Sequence, residues 1–199
     1  MRTRLLVLAP LLGLALTATP GSAAPTKVPQ IKDATGDAVA PSAAYDVVSV
    51  LWTTTGKGSG KSYSPKSLVV TMTLAGPPST DPGVTYEVEA TTDTCGDVMF
   101  TMEPGTPYES VTGLNGWADW GDCTVGDSSV ELLTVKTKGS SIIWTYGLKA
   151  SPLELSTVFS DFRARVDPSN PAVPFPSNTT GTELGLFDAA SGDGTWKVG

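Results

Sequence analysis

The chain repeatedly alternates apolar with polar residues over short stretches. In residues 67–74, the even positions hold Leu, Val, Met and Leu, whereas the odd positions hold Ser, Val, Thr and Thr. Because successive side chains of a strand point to opposite faces, this pattern predicts a half-buried antiparallel strand. Similar stretches, rich in β-branched and aromatic residues and bounded by Gly, Pro, Asp or Ser, predict strands at Tyr45–Thr54, Ser67–Ala75, Val84–Thr92, Val98–Glu103, Ser129–Lys136, Ser141–Leu148 and Phe159–Val166.

Turn-forming residues separate these stretches, and no long segment has helical periodicity bounded by caps. Short strands at regular spacing with rich turns are typical of an all-β sandwich or barrel. We expect an antiparallel β-sandwich with little helix. About 175 residues follow the leader described next, which suits a single domain over residues 24–199.

The first residues form the pattern of a secretory signal peptide. Arg2 and Arg4 precede the apolar run Leu5–Leu16, and small residues surround Ala23. The apolar run is too short to span a bilayer, and the small residues suit a peptidase site, so we expect cleavage after Ala23 and a secreted protein. A retained membrane anchor is the alternative interpretation.

Charge and composition exclude several functions. Removing the leader takes away two of the 13 basic residues and none of the 20 acidic ones, which leaves a net charge of about −9. Such a chain repels phosphate backbones and anionic lipid heads, so we expect no nucleic-acid partner and no membrane insertion. The chain has no histidine, so a Ser/His/Asp triad, a Cys/His dyad and an HExxH zinc site are all excluded.

Cys95 and Cys123 are the chain's two cysteines. An even pair in an exported protein is most simply a disulfide. Neither CxxC spacing nor additional ligands point to a redox or metal role, so we expect one Cys95–Cys123 bond.

An acidic loop follows the leader. Asp33 and Asp37 flank Gly36, which permits a tight turn around a hard cation such as calcium, and Asp46 can join them. A second acidic glycine loop, residues 188–194, lies near the C-terminus, where a sandwich can place its last strand beside its first. The alternative is Asx-turn chemistry, in which the same side chains cap their own backbone.

This region also resembles a known family. The order Asp-Ala-Thr-Gly-Asp-Ala over residues 33–38, then Tyr-Asp-Val-Val-Ser-Val over residues 45–50, is similar to the opening of secreted DOMON-like and carbohydrate-binding family 9-like domains. The resemblance covers residues 31–75 and implies a jelly-roll-like sandwich that binds sugars, haem or other ligands, often with structural calcium. Haem-binding members use a Met/His axial pair, which a chain without histidine does not offer.

Two tryptophans lie within the loop that the disulfide would close. Trp117 and Trp120, with Asp119 between them, can form a platform for sugar rings if the indoles are exposed. The alternative is that these indoles cover the core. Trp52 and Trp144 lie in strand patterns and are expected in the core.

These patterns predict a monomeric, non-catalytic binding or cell-surface interaction module with a glycan or surface partner. A carbohydrate-binding module and a histidine-free glycosidase are the rival functions. A glycosidase needs two positioned carboxyl groups, and spacing does not select a pair from the many candidates. The carboxylates considered for catalysis are Glu87, Glu89, Asp97, Glu131 and Asp161.

Asp161, Arg163 and Arg165 alternate along one strand and predict an exposed charge ladder.

Overall fold

The fold is taken from a computed structural model that describes residues 27–38, 42–58, 63–104, 114–119, 133–148, 157–168 and 188–198. For residues 114–119 and Pro168, the description covers the backbone. The predicted signal peptide, Cys123 and Trp120 lie outside the described residues.

The described residues form eleven strands and no α-helix. The strands are β1 (Ile31–Lys32), β2 (Val47–Lys57), β3 (Ser64–Leu74), β4 (Val84–Thr92), β5 (Gly96–Pro104), β6 (Leu114–Asp119), β7 (Leu133–Lys138), β8 (Ser141–Gly147), β9 (Val158–Pro168), β10 (Asp188–Gly192) and β11 (Trp196–Lys197).

The strands form two antiparallel sheets. One has five strands in the order β1-β2-β3-β8-β7, and the other has six, with the path β10-β9-β4-β5-β6 and β11 paired with β9. The expected all-β, antiparallel class is confirmed. Within the described ranges, no helix is long and apolar enough to cross a membrane.

All seven predicted strands are present, with ends shifted by a few residues. The alternation in β3 places Leu68, Val70, Met72 and Leu74 in the core, as predicted. Four further strands were not predicted, namely β1, β6, β10 and β11. Residues 188–192, interpreted above as part of a loop, form β10.

Side chains from both sheets meet in one hydrophobic core. Trp52 of β2 lies against Phe100 of β5, with ring centroids 5.5 Å apart, and against Phe159 and Phe162 of β9 at 5.3 and 5.9 Å. Trp144 of β8 is fully buried, and its indole N–H donates a hydrogen bond of 2.9 Å across to the Thr101 carbonyl of β5. The expectation that Trp52 and Trp144 are core residues is confirmed.

A β-bulge in β9 explains how two phenylalanines three positions apart both enter this core. The register with β4 shifts between the pairs Glu89–Arg163 and Thr91–Ser160, which leaves one residue of β4 opposite two of β9. Asp161 occupies the bulge with a φ of 49°, in the left-handed region. Because strict alternation would place Phe159 and Phe162 on opposite faces, the extra residue is what buries both.

Cys95 is fully buried at the turn between β4 and β5, and its N–H donates to the Thr92 hydroxyl at 2.9 Å. Its expected partner, Cys123, lies outside the described residues. The Cys95–Cys123 bond therefore stays a prediction.

Candidate functional site

Three chain segments converge where the two sheets meet. Asp33 directly follows β1, and its backbone N–H donates to the Val48 carbonyl of β2 at 2.9 Å. Asp46 directly precedes β2, and Asp188 is the first residue of β10. Strands β1 and β10, which belong to different sheets, lie beside each other. Carboxylates from both ends of the described chain are therefore brought to one place.

A glycine allows the close approach of β10 to the N-terminal segment. A Cβ atom on Gly192 would lie 2.1 Å from the backbone carbonyl oxygen of Gln30 and 3.1 Å from the Ile31 side chain. A backbone oxygen cannot move aside as a flexible side chain can, so only glycine fits this contact without a shift of the chain.

Asp33, Asp37 and Asp188 form a compact group of carboxylates. One carboxylate oxygen from each residue lies within 4.8 Å of the others. The group contains exposed Asp37, partly buried Asp33 and buried Asp188, so it lies at the edge of the core and opens to solvent on one side.

Backbone hydrogen bonds fix the position of Asp188. Its Oδ2 accepts from the N–H of Val47 at 2.6 Å, and its Oδ1 accepts from the N–H of Ala189 at 2.9 Å. The first bond joins residues 141 positions apart and ties β10 to the start of β2. A carboxylate offers about four lone-pair positions, so both oxygens retain capacity for a cation.

The loop that carries Asp33 and Asp37 is held by Asp46. Gly36 has a φ of 91°, which favours glycine, and its N–H donates to Asp46 Oδ2 at 2.6 Å. Asp33 Oδ1 accepts from the N–H of Ala34 at 2.9 Å. Asp33 therefore caps the backbone N–H of the next residue, whereas an Asx turn uses the N–H two residues on, so the Asx-turn interpretation stays a prediction. This hydrogen bond coexists with the carboxylate group and does not replace it.

Two buried carboxylate oxygens have no hydrogen-bond partner among the described residues, Asp33 Oδ2 and Asp46 Oδ1. Asp46 is only 4% exposed. A buried carboxylate oxygen without a donor is costly, and a bound cation or water removes that cost.

The electrostatics of the group are unfavourable without a cation. Burial raises the pKa of Asp188 to about 6; the hydrogen bond from Val47 opposes the rise, and the charges of Asp33 and Asp37 add to it. Burial also raises the pKa of Asp33, with further contributions from Asp37 and Asp46. Like charges in a partly buried site disfavour ionisation, whereas a cation among them favours it.

The spacing of the oxygens suits calcium. Calcium–oxygen distances are about 2.3–2.6 Å, so two ligand oxygens on opposite sides of one ion lie at most about 4.6–5.2 Å apart. The three oxygens of Asp33, Asp37 and Asp188 all lie within 4.8 Å of one another, which is close enough for them to bind one such ion. All three donors are hard oxygens, and the chain has no histidine to favour zinc. Calcium takes six to eight oxygens, so further ligands must come from carbonyls, second carboxylate oxygens or water.

The sequence selected two of these three residues. Asp33 and Asp37 were predicted as ligands together with Asp46, which the three-oxygen group does not contain. Asp46 instead holds the loop through Gly36, and its role as a ligand through Oδ1 stays a prediction. Asp188 was noted only as part of a second acidic loop. The one available clue was the expectation that the last strand lies beside the first.

Among the sugar-platform candidates, Trp117 and Asp119 lie on a strand at the end of the described six-stranded sheet rather than in a loop. Trp117 and Asp119 belong to β6, where Trp117 pairs with Thr101 and Asp119 with Met99 of β5. Trp120 lies outside the described residues. The sugar platform of Trp117, Trp120 and Asp119 stays a prediction.

The two arginines of β9 form ion pairs with carboxylates of β4, of β5 and of β9 itself. Arg163 lies 3.3 Å from Glu89 and 3.7 Å from Asp97, whereas Arg165 contacts Glu87 and lies 3.2 Å from Asp167. The hydrogen bond to Glu87 raises the pKa of Arg165 further above its usual value. Both arginines are about half exposed, as the predicted charge ladder requires, and Asp161 is also exposed, but it lies in the bulge that interrupts the regular alternation.

No protein-family model matches the chain, and neither the characterised proteins nor the solved structures compared with it include a similar one. The resemblance to DOMON-like and carbohydrate-binding family 9-like domains therefore stays a prediction. The function has to be argued from the geometry of this chain.

Proposed function

We propose that this chain is an exported, non-catalytic binding or cell-surface interaction module, built as a jelly-roll-like β-sandwich and stabilised by calcium at Asp33, Asp37 and Asp188. The observation that carries this proposal is the meeting of three carboxylate oxygens, within 4.8 Å, from segments at opposite ends of the described chain. A cation there joins β1 to β10 and so connects the two sheets.

The proposed ion has a structural task. Asp188 already ties β10 to β2 through Val47, and Asp46 ties the 33–37 loop to β2 through Gly36. A calcium ion bound to both Asp33 and Asp188 adds a link that the unfolded chain cannot make, so it stabilises the native state. The stabilisation from this link is greatest where calcium is at millimolar concentration, as it is outside the cell.

The charged face of the six-stranded sheet favours a non-catalytic function over a glycosidase. Three of the carboxylates considered for catalysis are paired with arginines, Glu87 with Arg165 and both Glu89 and Asp97 with Arg163. A carboxylate held in an ion pair is less available as the acid or the nucleophile that a glycosidase needs. Export rests on the leader pattern around Arg2, Arg4 and Ala23, and the disulfide belongs to the same proposal.

The test is thermal unfolding of the oxidised chain lacking residues 1–23, first in EDTA and then in millimolar calcium. At a calcium concentration a hundredfold above the dissociation constant, mass action stabilises by about 2.7 kcal/mol, which raises the Tm of a domain of this size by about 5–10 °C. We expect Asp188→Asn to abolish that rise, because the amide keeps an acceptor for the Val47 N–H but has no charge.

The matched control is Asp193→Asn, which removes an exposed acidic side chain one residue beyond β10 and outside the three-oxygen group. We expect this variant to keep the full calcium response. An unchanged Tm for the parent protein in calcium contradicts the proposal. So does an equal calcium response in the Asp188→Asn and Asp193→Asn proteins.

A further inference from the structure

The strands of the two sheets carry opposite net charges. The strands of the five-stranded sheet contain five lysines and no acidic residue. Those of the six-stranded sheet contain three basic and eight acidic residues, a net charge of −5. This separation arises because β3 pairs with β8, which lies beyond the acidic strands β4 and β5 in the sequence. The two sheets enclose one core, so the fold has a positive side and a negative side.

The outer face of the five-stranded sheet contains two adjacent rows of directly paired residues, which therefore lie on the same face. One row runs from Lys32 of β1 to Lys138 of β7 through serine and threonine residues. The other runs from Leu51 of β2 through Ile143 of β8 to Lys136 of β7. Leu51 and Ile143 are partly exposed, and the three lysines are exposed. We term these five residues the basic face, which has an apolar centre and a cationic rim.

The lysines of the basic face have no acidic partner within the described ranges. The ion pairs there involve Arg163 and Arg165 and none of these lysines. Lysines on end strands discourage edge-to-edge pairing of sheets, but that task does not require all five strands to lack acidic residues. The positive charge of this face therefore suits a partner with negative charge.

A groove of about 250 Å³ crosses the outer face of the six-stranded sheet. Its lining includes Glu87, Glu89, Met99, Arg163 and Arg165. Asp97 lies 3.7 Å from Arg163, and Asp167 lies 3.2 Å from Arg165, so four carboxylates surround two guanidinium groups. We term this site the acidic groove. Its excess of carboxylates favours a cationic occupant over an anionic one.

The basic face and the acidic groove complement each other in charge and in form. Both lie on sheet faces, and two sheets pack face to face at about 10 Å. The ammonium groups of Lys136 and Lys138 match the excess of carboxylates in the groove. Leu51 and Ile143 match the thioether of Met99, and an apolar centre within a charged rim is typical of protein interfaces. A phosphate polymer would use the lysines alone, and the net charge of −7 repels it.

We propose that the basic face of one copy of this chain binds the acidic groove of a second copy. The two surfaces lie on opposite sides of the core, so the contact is heterologous, and each copy can bind one neighbour through each sheet. The inference goes beyond the proposed function, because it names the partner as a second copy. It does not depend on calcium, and it differs from the monomer that the sequence pattern predicts.

The size of the basic face indicates a weak association. Five strands at a spacing of about 4.8 Å extend over about 19 Å, which is small beside the roughly 800 Å² per partner of a stable interface. The net charge of the copies adds repulsion, which salt screens beyond a Debye length of about 8 Å at 0.15 M. We therefore expect dissociation constants of about 10 μM to about 1 mM.

Sedimentation velocity of the oxidised chain lacking residues 1–23 tests this inference, with EDTA present to exclude any effect of calcium. We expect the sedimentation coefficient to rise between about 10 μM and about 1 mM protein in about 0.15 M NaCl, and not in about 1 M NaCl, where the Debye length is about 3 Å. A monomer at every concentration overturns the inference, even one that binds polyphosphate. So does an association that persists unchanged in the higher salt.

Reversing two charges of the basic face should weaken the association. We expect Lys136→Glu with Lys138→Glu to raise the dissociation constant at least tenfold, because both exposed side chains would then repel the groove. The matched control is Lys27→Glu with Lys197→Glu, which changes the net charge equally at exposed positions outside the basic face. We expect the control to associate like the parent protein. Equal dissociation constants in the two double variants overturn the inference.

A mixing experiment identifies the two surfaces. Met99→Lys with Ser191→Lys places two positive charges in the lining of the acidic groove without removing a native ion pair, and should prevent self-association. This variant keeps its basic face, whereas the Lys136→Glu, Lys138→Glu variant keeps its groove. We expect each to be monomeric alone and the mixture to form a 1:1 dimer that grows no further. Folded variants that form no dimer when mixed overturn the inference.

Ser191→Lys alone, at an exposed position, replaces the Met99→Lys, Ser191→Lys protein if that variant does not fold. The outcomes also separate this inference from the calcium proposal. A calcium-dependent Tm in a protein that stays monomeric refutes this inference alone. Self-association without any effect of calcium on the Tm refutes the calcium proposal alone.

Discussion

Asp188 is a buried carboxylate that lies beside two other carboxylates and accepts hydrogen bonds from Val47 and Ala189. Its two backbone bonds favour the ionised form, but burial and the neighbouring charges oppose ionisation more strongly, so its pKa rises to about 6. Without a cation, this residue holds a proton more tightly in the folded protein than in the unfolded chain. Its ionisation therefore destabilises the fold.

This raised pKa predicts an unusual pH dependence in EDTA. The stabilising contribution of protonated Asp188 is fully present below its unfolded pKa of 3.8 and is lost as the pH rises through about 6. A shift of about two pKa units corresponds to at most about 3 kcal/mol, and solvent screening at the edge of the core reduces this figure. We expect urea unfolding in EDTA to show lower stability at about pH 7 than at about pH 4.

Asp188→Asn should flatten this pH dependence, whereas Asp193→Asn should keep it. Saturating calcium should oppose the loss, because the ion binds the ionised carboxylates and competes with protons. If stability in EDTA is the same at both pH values for the parent and Asp188→Asn proteins, the raised pKa of Asp188 is contradicted.

At the scale of the element, the bulge in β9 shows how one residue changes what a strand buries. Asp161 adopts a left-handed conformation, and the extra residue places both Phe159 and Phe162 against Trp52. Ionised or not, aspartate tolerates this conformation better than β-branched residues do. The sequence contains a clue in the spacing of the two phenylalanines, which breaks the alternation expected of a regular strand.

The free energy of unfolding of Asp161 variants should therefore depend on how easily the new residue adopts the left-handed conformation. We expect Asp161→Gly to be neutral or slightly stabilising and Asp161→Val to lower the free energy of unfolding by about 1–2 kcal/mol, because the left-handed conformation is costly for a residue with a branched Cβ. Urea unfolding measures both. Thr134→Val, at an exposed and regular strand position, is the control and should cost nothing. A cost for Asp161→Val no larger than that of the control contradicts the role of the bulge.

The strands that were predicted and those that were missed differ in where their stability originates. In β3 and β4, alternation of apolar and polar residues is a property of the segment itself and is visible in the sequence. In β6 and β10, the sequences Leu-Asn-Gly-Trp-Ala-Asp and Asp-Ala-Ala-Ser-Gly lack β-branched residues. These two segments become strands because they pair with β5 and β9. Such pairing cannot be predicted from the pattern of residues within the segment alone.

At the scale of the whole molecule, a predicted disulfide anchors the turn at which β4 meets β5. Closing the chain between Cys95 and Cys123 should stabilise the fold by about 3.5 kcal/mol, through the lower entropy of the unfolded chain. We expect the double variant Cys95→Ser with Cys123→Ser to lose about that much in urea unfolding. Alkylation of both thiols in unfolded, unreduced protein, detected by intact mass, would contradict the bond.

The sequence by itself determined the all-β class, seven of the strand positions, the core tryptophans Trp52 and Trp144, and the acidic loop of Asp33 and Asp37. Each of these depends on alternation, composition or a short loop, which are local properties of the chain. Only the tertiary structure decided that Asp188 joins Asp33 and Asp37, and that the Arg165–Glu87 pair lies in register with Trp117 across the six-stranded sheet. Those placements depend on strand pairing between distant segments, and the packing of the two sheets, rather than any local preference, selects that pairing.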